Sequence, residues 1–291
     1  MRPHIDVALV RRLVDTQFPQ WAELPLRRVE PAGSDHVIHR LGEDLSVRLP
    51  RHAGAIGQAR KEYEWLPRLA PHLPLDIPVP VAVGEPDLGY PWPWAVTRWL
   101  DGEVATVEAL EGSAETAVEL AEFLVALQQF APERVRELVG RTDLGYGSLA
   151  GRDASTRVAI EQVSGAFDAG ALRELWEAAL GAEGWGRAPV WFHGDFHTGN
   201  LLTKGPRLSA VIDFGGLGVG DPACDLMMAY TLMSGPSRAA FRAVLDVDDA
   251  TWLRGRGWAL TTGLSAYTAY AAGSPRIAAA TTRQITEALV G

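Results

Sequence analysis

Asp195 and Asn200 stand five positions apart in the segment HGDFHTGN at 193–200, and Asp213 follows thirteen residues later, directly before Phe214 and Gly215. Two carboxylates and an amide are oxygen donors, the ligand type that a hard divalent cation such as Mg²⁺ takes. A carboxylate set beside a hydroxyl also accepts its proton. One base and two metal ligands are the parts needed to move a phosphoryl group from a nucleotide to an alcohol, because that reaction depends on positioning and charge neutralisation. Asp and Asn beside Gly have a plainer use in turns. Two triplets in this order, each next to an apolar run and followed by Asp221-Pro222, favour the chemical use.

Short structural signals frame these groups. Pro189-Val190-Trp191-Phe192 reads as a buried strand that delivers the 193–200 loop, and Leu201-Leu202 leads away from it. Gly215–Gly220 reads as a flexible turn, with Asp221 as N-cap, Pro222 at the first helical position and Asp225 in the first turn. Nearer the N-terminus, residues 5–17 carry Ile5, Leu9, Val10, Leu13 and Val14 at helical spacing. Val37, His39 and Leu41 and then Leu45, Val47 and Leu49 alternate around Gly42-Glu43-Asp44, which predicts a hairpin. Residues 54–70 read as a helix with Ala59, Tyr63 and Leu66 near one face, which Pro67 kinks or closes. Strands separated by Pro and Gly then run to about residue 103. Beyond them, helices are expected at 113–131 with Ser113 as N-cap, at 152–165 and 168–181 with Tyr146 in the connection before them, and through most of 237–290. In that last region Asp246, Asp248 and Asp249 form an acidic knot, for which helix capping is the simplest use.

Composition narrows the field. The 291 residues are 47% hydrophobic and 22% charged, an ordinary globular balance that excludes fibrous and disordered classes and allows one large domain or two modest ones. Cys224 is the single cysteine, and the start MRPHIDVALVRRLVDTQF has no apolar core followed by a small-residue cleavage site, so a reducing, cytoplasmic setting is expected. No run approaches the roughly 18 apolar residues of a membrane span. Net charge is −9, and the whole excess lies in residues 101–291, with 24 acidic against 15 basic side chains. Such a field repels nucleic acid and draws in cationic small molecules, although acidic surfaces are also common among soluble proteins.

The stretch His193-Gly194-Asp195-Phe196-His197-Thr198-Gly199-Asn200, with Asp213-Phe214-Gly215 after it, matches the protein-kinase signature H-x-D-x-x-x-x-N and D-F-G in order. With Gly194 after the histidine and DPACDL at 221–226, the chain resembles the aminoglycoside phosphotransferase and choline kinase family, the small-molecule branch of the kinase-like fold. The resemblance implies a bilobal, protein-kinase-like α+β fold: a small β-rich N-lobe at 1–98, a hinge at 99–102 and a larger, mostly helical C-lobe at 103–291. It implies an enzyme that uses ATP or GTP with Mg²⁺ to phosphorylate a hydroxyl of a small, cationic acceptor, with aminoglycoside antibiotics first and macrolides second. A metabolic kinase for choline, a sugar or an amino alcohol is an alternative, and a nucleotide-binding module without turnover is another.

By the same resemblance Asp195 is the catalytic base, and Asn200 and Asp213 are the metal ligands. Arg48 binds the nucleotide phosphates and pairs with Glu62, or with its rival Glu64. Ser34, in the turn Ala32-Gly33-Ser34-Asp35, lies over those phosphates. The Arg98 carbonyl and the Leu100 amide meet the adenine edge, His193 holds the loop, and Asp225 accepts hydrogen bonds from the loop backbone. Arg48 departs from the usual lysine, placing a planar, permanently charged fork where a flexible ammonium is common. The family's acceptor pocket is built partly from insertions, where Glu161, Asp168, Glu174 and Glu177 are the acids available.

Overall fold

The alternation read at 37–49 becomes the centre of an antiparallel sheet in the computed structural model, which describes residues 3–30, 33–145 and 147–291. The chain divides into two units, Met1–Gly102 with Ser209–Gly215, and Glu103–Leu208 with Gly216–Gly291. Ala32 of the proposed phosphate turn and Tyr146 lie outside the described residues.

The first unit contains α1 (Val7–Gln17), β1 (Leu26–Arg28), β2 (His36–Leu41), β3 (Leu45–Pro50), α2 (Gln58–Leu69), β4 (Pro80–Gly84) and β5 (Trp94–Arg98). Its five strands pair antiparallel in the order β1-β2-β3-β5-β4. Side chains on a strand alternate between faces. Val47 and Leu49 of β3 therefore join Val37, Leu41 and Trp94 in a core closed by Val10, Leu13 and Val14 of α1. Each such side chain contributes roughly 1.5–3 kcal/mol when fully buried. Arg48, between Val47 and Leu49, points the other way and meets α2.

Helix α2 begins at Gln58 and not at residue 54, because 53–55 form a separate 3-10 turn and Gly57 occupies the N-cap position. The two glycines, Gly54 and Gly57, favour a break there. Pro67 lies within the last turn, and the helix ends two residues on. Ala59 and Leu66 are buried as the spacing suggests, but Tyr63 is 48% exposed, and the buried face turns instead towards Glu62, Trp65 and Leu69.

In the second unit the helices are α3 (Val107–Leu110), α4 (Ala114–Gln128), α5 (Pro132–Leu138), α6 (Asp153–Gln162), α7 (Ala169–Gly181), α8 (Met228–Thr231), α9 (Gly235–Leu245), α10 (Asp249–Tyr270) and α11 (Pro275–Val290). The strands are β6 (Glu103–Val104), β7 (Val190–Phe192), β8 (Leu201–Lys204), β9 (Arg207–Val211) and β10 (Gly218–Gly220). Helix starts follow the capping residues. Ser113 accepts from the Thr116 amide at 3.0 Å, Asp168 from Gly170 at 2.8 Å and Asp248 from Thr251 at 2.6 Å. β9 leads into Ser209–Val211, which joins the first unit through backbone bonds between Asp76 and both Ser209 and Val211. Chain order therefore does not follow the division into units, which a contiguous boundary at residue 103 leaves out.

Candidate active site

The 193–200 loop is held from both ends. β7 pairs antiparallel with β10, setting Phe192 opposite Gly218 and Trp191 opposite Val219. Gly194 has φ +85°, and a Cβ there would lie 2.2 Å from the Gly216 carbonyl oxygen. A Cβ on Gly218 would sit 2.4 Å from the Leu144 carbonyl oxygen. The glycine run read as a flexible turn is thus a 3-10 turn at Phe214–Gly216 followed by the strand β10, and at Gly216 and Gly218 close backbone neighbours leave side chains no room.

Asp225, fully buried in the 3-10 segment Pro222–Met227, accepts from the His193 amide at 2.7 Å and from the Gly194 amide at 2.8 Å. His193, also buried, accepts from the Asp195 amide through Nδ1 at 3.2 Å. The chain reverses at Gly194 under these bonds, and Asp195 emerges half-buried on the far side.

The Asp195 carboxylate is then fixed by its own loop. Asn200 Nδ2 donates to Asp195 Oδ2 at 3.0 Å and to the Asp195 carbonyl at 2.9 Å, and His197 Nε2 lies 3.5 Å from Oδ2. His197 Nδ1 accepts from the Gly199 amide at 3.0 Å, which fixes its ring over the 3-10 turn Thr198–Asn200. Burial works against the charged Asp195, but the contacts from His197, His193 and Asn200 outweigh it and hold the carboxyl below its ordinary value. It is a carboxylate at neutral pH.

Asp225 is different, since burial pushes its carboxyl up to about 7 against the pull of the Gly194 and His193 amides. An unfolded Asp titrates near 4, so the folded protein keeps a proton that the unfolded chain releases. The contribution of this group to stability is full below about pH 4 and is lost as pH rises towards 7, by up to about 4 kcal/mol. Asp225→Asn, neutral throughout, is expected to lower Tm and to flatten its dependence on pH between about 4 and 7, as thermal unfolding across that range would register. An unchanged slope would count against the shifted titration.

In the first unit, Arg48 Nη1 donates to Glu62 Oε2 at 2.9 Å, and both side chains are buried. The carboxylate that meets Arg48 is Glu62, since rotation of α2 buries it. Burial pushes the Glu62 carboxyl above its ordinary value against the pull of Arg48. Burial opposes the charge on Arg48, but Glu62, Asp213 and Asp35 outweigh it, so its affinity for the proton is raised. Asp213 is in the same unit, with Oδ1 3.9 Å from Arg48 Nη2 and a left-handed φ of +65°.

Sequence reading missed two supports here. Lys61, one residue before Glu62, donates from Nζ to the Gly215 carbonyl at 2.7 Å and so ties the Asp213-Phe214-Gly215 turn to α2. Asp35 accepts from Gln58 at 2.9 Å, and its carboxylate lies 3.2 Å from His52 Nε2, which anchors the end of the proposed phosphate turn. Ser34 Oγ donates to Asp35 at 3.1 Å. No local spacing signals the contacts of Lys61 with Gly215 and of Asp35 with Gln58 and His52, because the partners lie in separate segments. Arg98 closes β5 with its amide on the Val79 carbonyl at 2.9 Å, and the half-buried Leu100 makes no amide hydrogen bond among the described residues.

Asp195, His197, Thr198 and Gly199 form part of the wall of a cavity of about 830 Å³ inside the second unit, completed by residues of α3, α8, α10 and α11. Glu161, Asp168, Glu174 and Glu177 are not among its walls. Asp168 caps α7, Glu161 pairs with Arg173 at 2.6 Å, and Glu177 with Arg157 at 3.2 Å. Besides Asp195, the acids that reach the cavity are Glu108 and Glu111, which lie in and just after a four-residue helix with no sequence signal of its own.

The donor chemistry suits Mg²⁺. Asn200 spends its Nδ2 on Asp195, and its amide oxygen makes no hydrogen bond among the described residues. Asp213 supplies a carboxylate that is 38% exposed. Mg²⁺ takes one or two protein oxygens with phosphates and water, so a dense ligand cluster is not required. Among the described residues no group of three or more His, Cys, Asp or Glu could hold a metal.

Solved structures align along nearly the whole chain. The GDP complex of wild-type aminoglycoside 2'-phosphotransferase-IIIa is 19% identical, with a TM-score of 0.72 over 98% of this chain and 99% of that one. The apoenzyme of macrolide 2'-phosphotransferase MphH from Brachybacterium faecium is 24% identical, with a TM-score of 0.62 over 96% and 97%. The streptomycin–ATP ternary complex of APH(2")-IIa is 18% identical, with a TM-score of 0.62 over 92% of each chain. At these identities the likeness is one of fold, the bilobal kinase-like α+β architecture. A search of curated protein sequences finds no match. The model of the phosphotransferase enzyme family matches residues 26–281, and with the match running over most of its length the chain belongs to that family of small-molecule phosphotransferases.

Proposed function

We propose that the protein transfers the γ-phosphate of ATP or GTP to a hydroxyl of a small molecule, leaving a phosphate monoester. The observation that carries this reading is the Asp195 carboxylate, held by Asn200 at 3.0 Å and His197 at 3.5 Å in the wall of a cavity large enough for a drug-sized acceptor. Asp195 orients the acceptor hydroxyl and takes its proton as the oxygen bonds to the γ-phosphorus and the bond to the nucleotide's bridging oxygen breaks. Arg48, kept charged by Glu62 and Asp213, binds the phosphates. Ser34 at the phosphate turn, and the Arg98 carbonyl and Leu100 amide at the adenine edge, hold the rest of the nucleotide. Asn200 and Asp213 are the oxygen ligands for Mg²⁺. When bound, that ion neutralises charge on the phosphates. His193 and Asp225 keep the loop in register.

Several of the neighbouring structures are complexes with GDP or ATP, which supports nucleotide use, and some hold kanamycin, gentamicin or streptomycin, which supports a small-molecule acceptor. A reducing cytoplasmic setting suits the lone, buried Cys224, and no helix among the described residues is long and apolar enough to cross a membrane. The test is incubation with ATP or GTP and Mg²⁺ against aminoglycosides, macrolides, choline and sugars, with products read by mass. A phosphorylated acceptor is the expected result. Nucleotide binding without transfer to any of them would favour a binding module.

A further inference from the structure

The cavity beside Asp195 says which acceptors fit, on the footing that the phosphotransfer reading holds. Five charged side chains line it: Glu108, Glu111, Asp195, Arg276 and Arg283. Glu111 is neutralised by Arg283, whose Nη1 lies 3.0 Å from its carboxylate. Asp195 is committed to the reacting hydroxyl. One carboxylate, Glu108, is left for a substrate cation, and Arg276 opposes any second one.

Several of the neutral polar groups are spent within the protein, while the hydroxyls of Thr106 and Tyr270 make no hydrogen bond among the described residues. Thr262 and Thr281 donate to the carbonyls of Trp258 and Ile277 at 2.8 and 2.7 Å, in the turns that precede them. Gln284 donates to the Ala259 carbonyl at 2.7 Å and to Thr262 Oγ1 at 2.8 Å. Thr231 Oγ1 already receives the Thr198 amide at 3.3 Å. Much of the remaining wall is apolar, including Val107, Met227, Ala266, Tyr270, Ile277 and Ala280. A substrate with several ammonium groups would meet one unpaired carboxylate besides Asp195 and leave most of its charges without a counter-ion, which is costly. A bulky apolar one would not.

We infer that the acceptor is a large, mainly apolar alcohol carrying a single positive charge, with Glu108 as the counter-ion of its amine. This sharpens the broader expectation of a cationic acceptor and sets polycationic aminoglycosides behind macrolactone-like alcohols. The selection works by penalty as much as by attraction, since beyond Asp195, Glu108 and the Arg283-paired Glu111 the wall offers extra charges no carboxylate, and Arg276 repels them.

The test compares erythromycin, an apolar macrolactone with one amine, and kanamycin, a polyamine, as acceptors for the wild-type enzyme with saturating nucleotide. Binding of both to Asp195→Asn is followed in parallel by calorimetry, so that preference is read even without turnover. The expected kcat/KM is at least about tenfold higher for erythromycin, with binding in the same order. Glu108→Gln should raise KM for erythromycin about tenfold with little change in kcat, and leave nucleotide affinity unaltered. Kanamycin phosphorylated as well as erythromycin, or better, overturns the inference and leaves the phosphotransfer reading standing. An unchanged KM in Glu108→Gln overturns the assignment of Glu108. If neither compound is phosphorylated or bound the inference falls, and the wider acceptor panel then decides the reading beneath it.

Discussion

Replacing Asp195 by Asn should cut the rate of phosphate transfer by about 10²–10⁴-fold, the usual contribution of a positioned general base. The substitution keeps the shape of the side chain and removes its ability to take a proton. Because Asp225 and His193 hold the loop through backbone amides, the substituted amide would sit on an intact frame, so nucleotide affinity and Tm should move little. Single-turnover rates with bound nucleotide and acceptor, measured beside calorimetric binding, separate these effects. The lowered pKa of Asp195 adds a pH condition. The carboxylate is already ionised well below neutrality, so protonation of Asp195 should not reduce kcat between about pH 6 and 8. Turnover equal to wild type in Asp195→Asn would end the assignment of this residue as the base.

Arg48→Leu should destabilise the protein by about 3–5 kcal/mol, because removing one member of a buried pair strands the other. Glu62 is 2% exposed, and its bond to Arg48 at 2.9 Å is its one hydrogen-bonded contact among the described residues. Arg48→Leu combined with Glu62→Leu removes both charges and should recover most of that loss, since apolar replacements of a buried pair are often neutral or better. Nucleotide affinity should stay low in both, because the phosphate charge has lost its partner. Arg48→Lys should fall between, keeping a charge but not the planar fork. Thermal unfolding reads the first effect and nucleotide titration the second. Full nucleotide affinity in the double variant would remove Arg48 from the phosphate site and leave it a structural role alone.

The two predictions draw on different kinds of information. Asp195 could be singled out from the amino-acid order, because the motif that carries it is local and its spacing is a property of the chain. The same holds for the helix caps at Ser113, Asp221 and Asp248 and for the hairpin around Gly42, where the interacting groups lie within a few residues of one another. The choice of Glu62 over Glu64 was not local. It depended on how α2 is rotated against β3, which is set by the packing of Ala59, Leu66 and Leu69, and reading Tyr63 as buried missed that rotation.

By itself, then, the sequence determined the family, the kinase-like architecture and the group of residues from which the chemistry must come, because motif spacing, side-chain alternation and capping act through covalent neighbours. Tertiary structure alone decided which side chains converge. It brought Lys61 to Gly215 and Asp35 to His52 and Gln58 in the first unit, and placed Glu108 and Arg276 in the wall of one cavity in the second. Those meetings join residues up to more than a hundred positions apart, and they are fixed by how buried faces pack, which no window of neighbouring residues records.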